Sequence, residues 1–143
     1  MGRRDSSNVT RIKTRCGNRL KVLTGVDTLG MESILMGADG WVAGLVCAFP
    51  AETCAVYELS KAGRINEALE IYRWFLPILE LDINPQLVQN IKMAEVATGI
   101  GTERVRAPRL PLVGAERERV AKVISDGLAH RPKLPDYKEL SML

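Results

Sequence analysis

The sequence predicts an α/β fold in which helices outweigh strands. Two short runs, residues 20–24 and residues 41–46, are apolar without alternation, which is typical of parallel strands buried on both faces. Residues 29–36 between them have a helical pattern and are followed by Gly37. Strand, helix and strand in this order predict one βαβ unit. The chain after Pro50 shows helical patterns and no further strand pattern.

The length and composition fit one globular domain. The chain has 143 residues, of which 46% are hydrophobic and 26% are charged, the balance of an ordinary globular protein. A closed barrel of eight β/α units needs about 250 residues. A chain of this length is therefore too short to form such a barrel alone.

Helical segments follow one another after the second predicted strand. The clearest covers residues 65–79, where apolar side chains recur at the three- and four-residue spacing of one helical face. Pro77 predicts a kink in it, because proline lacks the backbone donor and clashes with the preceding turn. Residues 105–112 contain Pro108 and Pro111 and are predicted to be extended. The other predicted helices cover residues 51–61, residues 85–99 and residues 115–128.

Positive charge is concentrated in one segment. Residues 1–21 contain seven Lys or Arg against one acid, Asp5, whereas the remaining chain has thirteen basic and sixteen acidic residues. A basic stretch can contact phosphates, but no aromatic side chain for base stacking is interleaved with it. We therefore expect a solvated helix face and no nucleic-acid partner. We also expect lysines such as Lys13, Lys21 and Lys92 to lie on solvated faces.

The cysteine, histidine and apolar patterns argue against a disulfide-bonded secreted protein, a membrane protein and a metal-binding protein. The three cysteines contain no C-x-x-C pair, which predicts reduced thiols and a cytoplasmic location. The sequence has no signal-peptide pattern, and its longest uncharged stretch, residues 40–51, is shorter than a membrane span needs. His130 is the only histidine. We therefore expect no metal site, no cofactor, no membrane partner and no histidine-based triad.

One segment has the pattern of a site. Residues 23–27 end a predicted strand in Gly25, where a ligand can approach the backbone, and Asp27 follows two positions later. In β/α folds, sites form at this end of the strands. A glycine followed by an aspartate is also an ordinary way to leave a strand and cap a helix. From these residues alone we favour the capping interpretation.

Five motifs follow one another in a specific order along the chain. They are Asp5-Ser6-Ser7-Asn8-Val9-Thr10-Arg11-Ile12, Leu23-Thr24-Gly25-Val26-Asp27, Gly37-Ala38-Asp39-Gly40-Trp41-Val42 with Pro50, Asn84-Pro85 with Lys92, and Val105-Arg106-Ala107-Pro108. In this order and spacing, the motifs resemble the dihydrodipicolinate synthase and N-acetylneuraminate lyase family over nearly the whole chain.

The resemblance implies about the last two β/α units of a (β/α)8 TIM barrel, followed by a helical C-terminal extension. It divides the chain into barrel units over residues 1–83, the extension over residues 84–130 and a loose tail over residues 131–143. The family's enzymes are class I aldolases and hydro-lyases, in which a lysine forms an imine with a 2-oxo acid such as pyruvate. Members commonly form dimers and tetramers, so we expect a homo-oligomer or a complementing barrel segment as partner.

The resemblance also implies four substrate-binding positions. Gly25 looks like the glycine of the seventh strand that lies beside the substrate. Val26 and Asp27 fall where substrate-discriminating groups project. Val42 looks like the aliphatic residue of the eighth strand that lines the imine pocket. Cys47 stands where many members have asparagine, which is a departure at a position that is not catalytic.

The imine lysine of the family has no counterpart at its expected position. It should precede Asp5, where this chain has Arg3 and Arg4, and a guanidinium keeps its proton and offers no free amine. The family's proton-relaying tyrosine and carboxylate-binding loop would precede Met1. We therefore expect a lyase segment, from a truncated reading frame or a split enzyme, that is inactive alone. The alternative is a small helical binding or oligomerisation module without catalysis.

Overall fold

The computed structural model describes residues 5–142. A βαβ unit forms near the start of this range, and helices fill the rest. The strands are β1, Leu23–Thr24, and β2, Gly40–Trp41. The α-helices are α1, Ser7–Cys16; α2, Gly30–Leu35; α3, Pro50–Lys61; α4, Ile65–Leu79; α5, Leu87–Ala97; and α6, Gly114–Ala129.

The two strands are parallel, as the sequence predicts. Leu23 pairs with Gly40, and Thr24 pairs with Trp41. Both strands are shorter than the predicted runs, because within residues 5–142 each strand has only the other as a neighbour, and an isolated pair is marginal. The second run leaves the strand after Trp41, and its end turns into a 3₁₀ helix at Leu45–Cys47.

The two faces of the strand pair have different surroundings. On one face, Val22 packs with Val9 of α1 and with Ala38 in a small core. Side chains alternate along a strand, and the neighbouring Leu23 is 62% exposed. Val42, just past the end of β2, is 64% exposed. This second face is an apolar surface that the described residues leave open.

The main core lies among the helices that follow β2. Phe49, at the start of α3, and Phe75 of α4 are among its largest fully buried side chains. Their rings meet edge-on with centroids 5.4 Å apart, a favoured arrangement of aromatic pairs. From α6, Val120 and Ile124 complete the same core. The helices α3 to α6, named here the helical half of the protein, therefore share a continuous core.

The helices begin and end near the predicted positions. Pro77 lies in the last turn of α4, and the α-helix ends two residues later at Leu79. Before α5, the Asn84 side chain accepts a 2.8 Å hydrogen bond from the Gln86 amide. Residues 105–112 belong to no helix or strand, as predicted.

Residues 131–140 differ from the loose tail that we expected. Leu134, Tyr137 and Leu140 pack against the main core, and a 3₁₀ helix covers Lys138–Met142. These three side chains define the face of the segment that packs on the helices. Burial of that face holds the segment on the helices.

Candidate functional site

Gly25 and Val42 lie side by side where the two strands end. The Val42 amide donates a 2.8 Å hydrogen bond to the Thr24 carbonyl. A Cβ atom placed on Gly25 would lie 3.7 Å from the Val42 carbonyl oxygen, which is an ordinary contact. Both positions directly follow the paired residues of β1 and β2. They are therefore at the carboxyl ends of parallel strands, where β/α folds build their sites.

The surface around this pair is largely apolar and open. Val42 and Gly25 are exposed, and Val26 is half-buried. Gly25 and Val26 line a groove of about 200 Å³ between the end of β1 and the start of α1. Asp5 and Asn8 also line this groove. The strand ends therefore supply an aliphatic wall, and the start of α1 supplies polar groups.

Asp27 lies next to this wall in sequence but is turned into the protein. It is fully buried, and its carboxylate accepts hydrogen bonds from the Gly44 amide at 3.0 Å and the Leu45 amide at 2.8 Å. Burial raises the pKa of the Asp27 carboxyl, while the two amides act in the opposite direction. The carboxylate thus links the loops after β1 and β2, whereas the resemblance led us to expect it on the open face.

The sequence contained a signal for this arrangement. A Gly-x-Asp turn out of a strand is often a helix cap, and Asp27 does accept amides at a helical N-terminus. Its target, however, is the 3₁₀ helix Leu45–Cys47, and not the 3₁₀ turn that Asp27 itself begins. Sequence spacing could not reveal a partner that only the pairing of β1 with β2 brings close.

A second carboxylate, Asp39, organises the start of the strand pair, and we assigned it no role from the sequence. The Lys13 ammonium of α1 lies 2.5 Å from its Oδ2 atom, and the Val22 amide donates a 2.8 Å hydrogen bond to the same atom. These bonds, led by that from Lys13, hold the pKa of the Asp39 carboxyl well below its usual range. Lys13 is therefore half-buried and paired, which corrects our expectation of a solvated position.

The residues at the expected imine position, Arg3 and Arg4, lie outside the described residues. Cys16, Cys47 and Cys54 are free thiols. Within residues 5–142, no three His, Cys, Asp or Glu side chains are grouped so that they could hold a metal ion. No helix in the described part of the chain is long and apolar enough to cross a membrane.

The chain matches known proteins over most of its length. Residues 2–126 match the model of the dihydrodipicolinate synthetase family. A 4-hydroxy-tetrahydrodipicolinate synthase of Thermomicrobium roseum is 30% identical over 120 residues, which are 82% of this chain and 39% of that protein. The corresponding enzyme of Geotalea daltonii is 25% identical over 115 residues, 78% of this chain and 38% of that protein. The chain therefore spans about two fifths of the length of these curated relatives.

Solved structures share the fold. A dihydrodipicolinate synthase from Aquifex aeolicus matches with a TM-score of 0.79 and 18% identity, over 88% of this chain and 43% of that one. A sialic acid aldolase of Ruminococcus gnavus matches with a TM-score of 0.70 and 23% identity, over 87% of this chain and 44% of that one. These matches confirm the predicted fold, a helix-dominated part of a TIM barrel. Since the family model covers residues 2–126, the chain belongs to the dihydrodipicolinate synthetase family.

Proposed function

We propose that the chain is the C-terminal part of a Schiff-base lyase that acts on a 2-oxo acid, and that it is inactive alone. One observation carries the proposal: Gly25 and Val42 adjoin at the carboxyl ends of β1 and β2, on an apolar face that the described residues leave open. Family membership supports the class of reaction, which makes or breaks a carbon–carbon bond or eliminates water.

The reaction proceeds through an imine. A lysine amine attacks the ketone carbon of the 2-oxo acid, water leaves, and the protonated imine nitrogen draws electrons from the adjacent bond that breaks. This chain does not offer the amine where the family has it, because Arg3 and Arg4 precede Asp5 and a guanidinium keeps its proton. The lysine therefore comes from the first six β/α units of the barrel.

Each of the four positions that the family resemblance implies has a role in the aliphatic wall at the strand ends. Gly25 is exposed and has no side chain, so the 2-oxo acid can approach the backbone there. Val42 presents an aliphatic side chain that keeps water away from the imine, and Val26 adds a second aliphatic contact. Asp27 acts as a positioning residue, because its bonds to the Gly44 amide hold the loop after β2 beside Gly25.

The proposed partner is the rest of the barrel. Leu20, Leu23 and Val42 are large apolar side chains that are 47%, 62% and 64% exposed. Within residues 5–142, β1 and β2 pair only with each other. Natural proteins avoid uncovered strand edges and large apolar faces. Six further β/α units would pair with both edges and cover the open face, as closure of a barrel requires.

Trapping with borohydride tests the proposal. The first six β/α units of the Thermomicrobium roseum relative are made as a separate polypeptide and mixed with this chain and pyruvate. Borohydride reduces an imine to a stable secondary amine, which mass spectrometry detects. We expect the pyruvate adduct on the N-terminal piece in the mixture and no specific adduct on this chain. The mixture should also melt at a higher temperature than either piece.

Two controls fix the interpretation of the trapping experiment. The N-terminal piece with its imine lysine replaced by arginine should give no adduct. This chain with Val42→Asp should associate less and yield less adduct, because the substitution buries a charge in the completed wall. An adduct on this chain alone would overturn the proposal, and so would a mixture that gives no more adduct than the N-terminal piece alone.

A helical binding or oligomerisation module without catalysis is the second candidate. The observation that favours it is the main core, most of which lies between α3, α4 and α6. This candidate predicts that the chain alone melts cooperatively. It also predicts that the N-terminal piece changes neither the mass of the particle nor its melting temperature, so the same mixture separates the two candidates.

A further inference from the structure

Residues 131–142 cross the helical half of the protein and are named here the C-terminal strap. The strap follows α6 and lies beyond residues 2–126, which match the family. It contains no α-helix, and a 3₁₀ helix forms only at Lys138–Met142. Because so few of its bonds are internal, the position of the strap depends on its contacts with the helices.

One set of contacts is apolar. Leu134, Tyr137 and Leu140 are half-buried and pack against the main core. Burial raises the pKa of the Tyr137 hydroxyl, and the nearby Cys54 and Glu52 of α3 add to the rise. The 3₁₀ helix Lys138–Met142, which directly follows Tyr137, contacts α3, the helix that follows the strand ends.

The other contacts are polar and begin at the first residue of the strap. Arg131 forms an ion pair with Glu52 of α3. The Arg131 guanidinium also lies over the Phe49 ring, 5.7 Å from its centroid, a favourable cation–π distance. Farther along, Arg64 donates a 3.0 Å hydrogen bond to the Asp136 carbonyl. The strap is thus attached to the start of α3 and to the start of α4.

The two partners of the ion pair are unequally buried. The Glu52 side chain is 1% exposed, whereas the Arg131 side chain is 43% exposed. The second oxygen of Glu52, Oε2, is buried and has no hydrogen-bond partner in the described part of the chain. Removal of Arg131 would therefore leave a buried carboxylate unpaired, which costs more than removal of both charges. Removal of Glu52 would leave an arginine that water can solvate.

We infer that the C-terminal strap is a brace that holds the segment between β2 and α3, with Arg131 as its anchor. Phe49 and Glu52 stand at the start of α3, immediately after the 3₁₀ helix Leu45–Cys47. The anchor therefore acts on the same loop that Asp27 holds from the other side. The inference rests on contacts within this chain and does not depend on the proposed lyase function.

Hydrogen exchange and melting of the full chain test the brace. Arg131→Gln should speed amide exchange both in residues 131–142 and in residues 42–56, and should lower Tm by roughly 10 °C. Glu52→Gln combined with Arg131→Gln should melt at a higher temperature than Arg131→Gln alone, because the double variant has no unpaired buried charge. Arg119→Gln is the matched control, because it breaks the more exposed pair with Glu116 and should shift Tm by less than about 3 °C.

Each outcome decides the inference. Faster exchange confined to residues 131–142, or unchanged exchange, would overturn the brace. A double variant that melts below Arg131→Gln would overturn the role of the ion pair as anchor. If Arg131→Gln does not fold, cooperative melting of the double variant supports the anchor and its failure to fold overturns it. The absence of any cooperative transition in the unchanged chain would also overturn the inference.

Discussion

The Leu45 amide donates a 2.8 Å hydrogen bond to the buried Asp27 carboxylate, 18 positions earlier in the sequence. The Gly44 amide donates to the same carboxylate. One side chain therefore ties the loop after β1 to the loop after β2. Gly25 precedes the first loop and Val42 precedes the second, so the buried Asp27 carboxylate helps to fix the spacing of these two residues.

Asp27→Ala should destabilise the chain strongly. The substitution leaves the Gly44 and Leu45 amides without their acceptor, and an unsatisfied buried donor costs about 1–3 kcal/mol. We expect the free energy of unfolding, measured by urea denaturation, to fall by about 3 kcal/mol. Asp27→Asn keeps one acceptor oxygen. Its free energy of unfolding should therefore lie between that of Asp27→Ala and that of the unchanged chain. An alanine variant as stable as the unchanged chain would contradict the link between the loops.

Gly30→Ala should also destabilise the chain, for a steric reason. A Cβ atom at Gly30 would lie 2.4 Å from the Trp41 ring, and a half-buried indole packed on the core cannot move away cheaply. We expect a loss of about 1–3 kcal/mol, together with a change in tryptophan fluorescence in the folded state. Equal stability and an unchanged spectrum would show that Trp41 does not pack on α2.

Gly25→Ala should separate function from stability. The nearest atom to an added Cβ is the Val42 carbonyl oxygen at 3.7 Å, so the free energy of unfolding should change by less than about 0.5 kcal/mol. In the mixture with the N-terminal barrel piece, the added methyl group occupies the proposed approach of the 2-oxo acid. Pyruvate trapping should slow about tenfold or more. Unchanged trapping would remove Gly25 from the proposed site.

Asp39 should make the protein sensitive to acid. The hydrogen bond from Lys13 lowers the pKa of Asp39 in the folded state, so the unfolded state binds the proton more tightly. The resulting stability is present above the ordinary carboxyl pKa of about 3.9 and is lost as the pH falls through the folded pKa. Urea midpoints between about pH 2 and pH 7 should show this loss, which begins below about pH 5, and Asp39→Asn should make it smaller.

The contribution of the Asp27 carboxyl to the free energy of unfolding should depend on pH with the opposite sign. Burial raises its folded pKa above the unfolded value, so the folded state binds the proton more tightly and this carboxyl favours folding more as the pH falls. In the same urea titration, Asp27→Asn should therefore steepen the loss of stability in acid. A variant with an unchanged acid profile would show that the Asp27 pKa is the same in both states.

The order of elements could be predicted from the sequence because it depends on local patterns. The amphipathic spacing in residues 65–79 depends only on residues that are close together in the sequence. The same is true of the glycines and prolines at the ends of elements. The strand lengths could not be predicted, because they depend on pairing, and within residues 5–142 each strand has only the other as a neighbour. Parallel pairing of β1 with β2 was predicted correctly.

The contacts of the candidate site could be predicted only in part. Gly25 and Val42 stand together because each follows a strand, and a strand pattern can be recognised in the sequence. Sequence spacing did not indicate that Asp27 reaches Leu45 or that Lys13 reaches Asp39, since both pairs join elements that are distant along the chain. Those pairings follow from how β1 and β2 pair and how α1 packs beside them.

The two cores described above differ in size, and this has a consequence for local unfolding. Val9, Val22 and Ala38 form the small core, whereas the main core draws its side chains mostly from helices α3 to α6, many of which are neighbours in sequence. Amides in a large buried core are protected best, whereas short strands over a small core open at a lower free energy. The helical half should therefore be the part best protected against amide exchange. The strand pair should be the part that reopens most easily.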